Sequence, residues 1–156
     1  MINEERLDEI HKWWSELDHH RGQRAHLRRC DDLSGAYGLP VVHDLHQRLS
    51  PLPKNISFDD VCRVAIITAS VKTSGRVHPA RRLAVEGFSS LRFQRLIQSV
   101  EEPDIIRNFR RAILSVDGIA NIADLARGVI TWTSPETRKT WAICYYESAP
   151  KKDVTP

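Results

Sequence analysis

Apolar residues recur at a spacing close to 3.6 along almost the whole chain, and no segment alternates polar with apolar residues between turn signals as a strand would. That periodicity predicts an all-α fold, a helical bundle in two small lobes with no β-sheet. The first helix carries Leu7, Ile10, Trp14 and Leu17 inward and its acids outward. A turn at Ser34-Gly35 leads to a helix with Val42, Leu45 and Leu49 on one side, ended by Pro51 and Pro53. Ser57 is placed to cap the next helix, and the run from Val61 to Val71 is apolar enough for a central, mostly buried element.

The pattern lapses between Lys72 and Gly87, a basic stretch holding Gly75, Pro79 and Gly87. The expected organisation is therefore an N-terminal lobe over 1–73, a basic hinge or loop over 74–87, a C-terminal lobe over 88–147 and a disordered tail over 148–156. The second lobe opens with a helix bearing Phe93, Leu96, Ile97 and Val100. Pro103 suits the first turn of the next, which buries Ile106, Phe109, Ile113 and Val116 and stops at Gly118. Asn121 caps a helix with Ile122, Leu125, Val129 and Trp132; Ser134-Pro135-Glu136 starts the last one, with Trp141, Ala142 and Tyr145 inward.

Several chemistries find no anchor. Cys30, Cys62 and Cys144 are odd in number and widely spaced, which points to reduced thiols in a cytoplasmic setting. No run of about 18 apolar residues is available to cross a bilayer, so no membrane partner is expected. His19-His20 and His43-Asp44, joined to Asp117 or Asp124, make a poor set of metal ligands, since adjacent histidines on a helix diverge by about 100 degrees. No Ser/His/Asp or Cys/His grouping is readable, and Gly22, Gly35 and Gly38 form no phosphate loop. The expectation is a non-enzyme without cofactor or metal.

Charge distribution is more informative than its sum of +3. The segment from Arg21 to Arg29 carries Arg21, Arg24, Arg28 and Arg29 with no carboxylate, directly after an acidic N-terminal stretch. On a helix Arg21, Arg24 and Arg28 share one face, and three planar guanidinium forks suit a row of phosphates. Their competing partners would be Glu4, Glu5, Asp8, Glu9, Glu16 and Asp18. The hinge adds Lys72, Arg76, Arg81 and Arg82 on charge alone; the second lobe adds Arg92, Arg95, Arg107, Arg110 and Arg111, opposed by Glu101, Glu102, Asp104 and Asp117. Of the 23 basic residues 17 are arginine, a bias that phosphate recognition favours. Trp13, off the apolar stripe, is a weak candidate for stacking on bases. A rival reading takes residues 122 to 141 as a helix-turn-helix, with Thr137 and Arg138 set to read a duplex groove; the bulky Ile130 and Trp132 in its turn oppose it.

Trp14 to Leu17 followed by Arg21-Gly22-x-Arg24-Ala25-x-Leu27-Arg28-Arg29, then Leu91-Arg92-Phe93-x-Arg95-Leu96-Ile97, the Arg107 to Arg111 helix, and Asp124-Leu125, Trp132, Arg138, Trp141-Ala142 and Tyr145-Tyr146 come in an order that resembles the CasB family, the small subunit of the type I-E CRISPR surveillance complex Cascade. The resemblance covers nearly the whole chain. It implies an all-α, two-lobed, non-catalytic subunit that sits as a homodimer among other Cascade subunits. Its partners would be the crRNA, the target DNA and the displaced non-target DNA strand of the R-loop. Arg28 and Arg29 match the family's paired arginines after the first helix, and Arg92, Arg95, Arg110 and Arg111 match its second-lobe basic positions.

Overall fold

The computed structural model describes residues 3–52 and 56–150. Among them nine α-helices account for most of the chain: α1 Glu4–Glu16, α2 Arg21–Arg28, α3 Pro40–Leu49, α4 Phe58–Thr68, α5 Pro79–Val85, α6 Ser90–Ile97, α7 Glu102–Ser115, α8 Ile122–Ile130 and α9 Pro135–Ser148. Short side chains close the open amides: Ser57 accepts from Asp60 N and Asn121 from Asp124 N, as the sequence indicated, and Ser89, which it did not mark, accepts from Arg92 N. Proline stands in the first turn of α3, α5, α7 and α9, where no amide is needed. The end of the expected helix at Pro53, and the expected tail from Lys151 on, lie outside the described residues; α9 itself runs through Ser148.

The α4 helix is the centre. Every residue from Val61 to Val71 is buried, as its apolar run foretold. The α2, α3, α7 and α8 helices and the short 3-10 turn at Leu33–Ala36 pack around it, and α1 lies on α8 and α3, so one apolar cluster reaches from Leu7 to Tyr145. Residues of both expected lobes contribute to it. The stretch 74–87, read from sequence as a basic hinge, contains α5, whose Pro79, Ala80, Leu83 and Ala84 are buried and which packs on α9. Its start signal is His78, an unusual cap whose Nδ1 accepts from Ala80 N at 3.1 Å.

Two further differences from the sequence reading have plain causes. Two residues of strand, β1 Thr73–Ser74 and β2 Ile119–Ala120, pair in parallel with Thr73 opposite Ile119, although no sheet was expected. Both follow buried helices, and their backbone groups need partners as they pass the core: Lys72 N donates to Gly118 O at 2.7 Å and Gly75 N to Ala120 O at 3.1 Å. Gly118, at φ 74, makes the reversal that lets the chain leave α7 in this direction. The second difference concerns the tryptophans. Trp13 is the buried one, its Nε1 donating to Val41 O at 2.8 Å, while Trp14 is half-buried with its Nε1 on Val71 O at 3.2 Å. A stripe running 10, 13, 17 fits helical geometry as well as one running 10, 14, 17, and the inward carbonyl of Val41 favours the former. Trp13 is thereby removed as a base-stacking residue. Val100, expected inward, lies past the end of α6 and is exposed.

Arg63, on α4, points into the fold. Its guanidinium makes hydrogen bonds to both Glu102 oxygens and to Asp60, at 2.7 Å for the latter, tying α4 to the first turn of α7. Burial disfavours this charge, and the two carboxylates outweigh that cost and hold its pKa above the ordinary arginine value.

Gly128 on α8 faces the indole of Trp141, where an added Cβ would fall 2.7 Å from a ring carbon. Trp141 is wedged edge-on against Trp132 and Phe109 and has no room to yield. Gly128→Ala should therefore destabilise the protein by roughly 1–3 kcal/mol in urea denaturation despite alanine's better helix propensity, and a neutral result would contradict this packing. His78 is half-buried over Trp141, and burial lowers its pKa, with Asp124 opposing and Arg127 adding to the shift. The unfolded chain thus takes up this proton first, so the contribution is present above the free histidine pKa and is lost as pH falls through the depressed one. Replacing it by asparagine, which still caps, should flatten the loss of stability between about pH 7.5 and about pH 5.5. Identical slopes for the two proteins would contradict it.

Candidate nucleic-acid interface

Burial separates the fourteen cations singled out by sequence into two groups. Arg24, Arg82, Arg110 and Arg138 are half-buried; Arg21, Arg28, Arg29, Lys72, Arg76, Arg81, Arg92, Arg95, Arg107 and Arg111 are exposed. The first group is engaged inside the fold. Arg24 pairs with Asp18 and donates to the carbonyls of Ala69, at 3.2 Å, and Val71, where α4 ends. Arg110 donates to Cys30 O and lies 3.7 Å from Asp31. Arg82 covers Gly75 and stands 4.0 Å from Glu86, and Arg138 reaches Ile97 O at 3.5 Å.

Arg24 therefore leaves the row it would have formed with Arg21 and Arg28. The amphipathic logic that put three arginines on one face was sound for an isolated helix, but the carbonyls left open at the α4 C-terminus draw one of them inward. Arg21, Arg28 and Arg29 make no side-chain hydrogen bond or ion pair among the described residues. The N-terminal acids have other partners: Glu16 holds Arg48, Glu9 lies near Lys12 and Glu4 holds Arg127.

The α6 and α7 helices assemble the densest group. Arg92 and Arg95 are three apart on α6, Arg107 and Arg111 four apart on α7, and each pair projects from one helical face. Asn108 fixes the helices together, donating to Ser99 Oγ at 2.7 Å across their junction. Between them runs an open groove of about 500 Å³ lined by Arg92, Arg95, Asn108 and Arg111, with Phe88 and Leu114 at one end. It continues into a shallower stretch of about 450 Å³ that takes in Arg107, Gln98 and Asp104. Asp104 is the carboxylate of this lining and is bonded to Arg107. Glu102, in the same first turn of α7, is spent on Arg63. Arg92, Arg95 and Arg111 have no ion-pair partner among the described residues. The lining is thus strongly positive, open to solvent and shaped as a channel.

The other exposed cations lie elsewhere. Arg28 and Arg29 end α2, and the bond from Arg110 to the Cys30 carbonyl holds that end against α7, one residue before Arg111. The stem of Lys72 lies over Gly118, Arg76 precedes α5 and Arg81 is on it; none of the three lines the groove. Asn108 and Phe88 were not singled out by sequence. Asn108 had a signal, being three residues before Arg111 and so on its face; Phe88, in the turn before α6, had none.

Both residues that the helix-turn-helix reading set toward a duplex groove are bonded within the fold. Thr137 shares a hydrogen bond of 2.7 Å with Thr131, and Arg138 is turned to the Ile97 carbonyl. Among the described residues no three His, Cys, Asp or Glu side chains gather as metal ligands, and no helix is long and apolar enough to cross a membrane. Cys30 and Cys62 are buried and unpaired, the latter with its thiol pushed up to about 11 by burial.

A protein-family model described as CRISPR-associated protein Cse2 matches residues 23–146. No curated protein and no solved structure matches the chain.

Removal of the inward arginine and of an outward one should separate cleanly. Arg24→Ala strips the Ala69 carbonyl of its side-chain donor and leaves that of Val71 with Trp14 alone, and should cost about 1–3 kcal/mol, whereas Arg28→Ala should stay within about 0.5 kcal/mol of the parent. Thermal melts of the two variants check this; equal losses would contradict the assignment.

Proposed function

This chain belongs to the CRISPR-associated protein Cse2 family, whose model spans most of it, and from that membership we propose that it is a non-catalytic, nucleic-acid-binding subunit of the type I-E CRISPR complex Cascade. In this reading it works in the cytoplasm with the other Cascade subunits and a second copy of itself. It contacts crRNA, target DNA and the backbone of the displaced strand, and so stabilises the R-loop in antiviral defence.

The observation that carries the reading is the α6–α7 groove, where Arg92, Arg95, Arg107 and Arg111 face one channel against a single lining carboxylate. Guanidinium groups pair bidentately with phosphate and shed water readily, so a row of them tracks a sugar-phosphate chain without reading its bases. That suits the task. Opening a duplex while forming a guide heteroduplex is nearly balanced in free energy, so a few phosphate contacts are enough to tip it. Arg28 and Arg29, tied against α7 through Arg110, supply a second exposed patch for the same kind of partner.

Filter binding on short single and double strands at two salt concentrations tests the proposal. Binding should be indifferent to sequence. Replacing Arg92, Arg95, Arg107 and Arg111 together by alanine should weaken it at least about tenfold and flatten the salt dependence by up to about 3 units of slope on a single strand, at ~0.7 per lost phosphate contact. Unchanged affinity would remove the groove from the interface, and a preferred duplex sequence would favour a DNA-binding regulator instead.

A further inference from the structure

The groove does not end at Arg92. Phe88, which lines its upper end, also forms the floor of an apolar pocket of about 710 Å³ on the other side of the α6 N-terminus, walled by Leu91, Tyr145, Tyr146 and Ala149. Leu91 is the neighbour of Arg92 on α6, so pocket and groove share both an aromatic ring and a turn of helix. Two large side chains stand open at the pocket, Leu91 at 57% exposure and Tyr146 at 53%. The tyrosine is open but positioned: its ring packs edge-on against Tyr145 at 4.9 Å and Phe93 at 6.0 Å. Tyr145 is itself stacked on Phe93 at 4.0 Å and donates its hydroxyl to Phe88 O. The Tyr146 ring is thus held beside an aromatic stack that belongs to the core while about half of it stays open to solvent.

We infer that this pocket takes an unpaired nucleobase, stacked on Tyr146, from a strand whose phosphates lie along Arg92, Arg95 and Arg111. The inference rests on the proposed reading of the groove and narrows its ligand to single-stranded nucleic acid. Continuity and charge favour this occupant. A polyanion drawn into the groove is carried past Arg92, and a base turned off its backbone there meets an apolar wall and an aromatic ring instead of water. A duplex keeps its bases stacked and paired and has nothing to place in the pocket. Aromatic stacking of this kind tolerates any base, in keeping with a groove that holds phosphate without sequence preference.

The test uses the full chain, a short oligothymidylate and an abasic strand of equal length and charge, followed by fluorescence anisotropy at low salt. The parent should bind the base-bearing strand roughly fivefold or more tightly than the abasic one. Tyr146→Ala should abolish that difference while leaving abasic binding unchanged, and Tyr146→Phe should retain it. A parent that does not distinguish the two strands overturns the inference while leaving the groove intact, as does an alanine variant that still distinguishes them or loses both equally. If the parent binds neither strand, the groove reading itself fails. A dimer in sedimentation that Tyr146→Ala dissolves, without strand discrimination, would give the pocket to a second copy and overturn the inference as well.

Discussion

A helix buried on all sides beyond its first turn must have the polar groups around it answered by protein, and α4 imposes that condition on the rest of the chain. The carbonyls just beyond its C-terminus are met by the guanidinium of Arg24 and the indole of Trp14. Its buried charge, Arg63, is met by Asp60 in its own first turn and by Glu102 at the start of α7. These contacts orient the elements that carry them. With Arg24 turned to α4, Arg21, Arg28 and Arg29 remain on the outside of α2; with Glu102 turned to Arg63, α7 is fixed so that its Arg107 and Arg111 look away from the core, toward α6. The outward cations are outward because the inward ones are committed.

The same distinction explains what sequence could and could not tell. Helical periodicity placed most elements, and capping side chains such as Ser57 and Asn121 marked their beginnings, because these depend on a few adjacent residues. The α5 helix was missed since its cap is a histidine and its apolar face is only two turns long. The β1–β2 pairing joins residues 46 apart in sequence and left no alternating pattern to read. Among the arginines, local spacing separated helical faces but not their fates. Arg24 and Arg111 look alike in sequence, and only the carbonyls near one and the open channel near the other divide them. Acidic partners were equally opaque: Asp104 lies beside Arg107, as a three-residue spacing suggests, whereas Glu102 crosses to α4.

A groove of this composition would hold a phosphate chain through electrostatics spread over several weak contacts, each screened by salt and none demanding a base. Such a surface is suited to steadying a strand that another component has selected. The proposed role draws on two independent observations, the Cse2 family match along the chain and the placement of four side chains in the α6–α7 channel.

Photocrosslinking of a thymidine-containing single strand to the full chain, with the attachment sites read by mass spectrometry, addresses the central claim most directly. Crosslinks should concentrate in the segment from Phe88 to Ser115, which forms the α6–α7 channel, and at Tyr146 in the pocket beside it. Attachment confined to α8 and the first half of α9, or spread evenly over the surface, would contradict it.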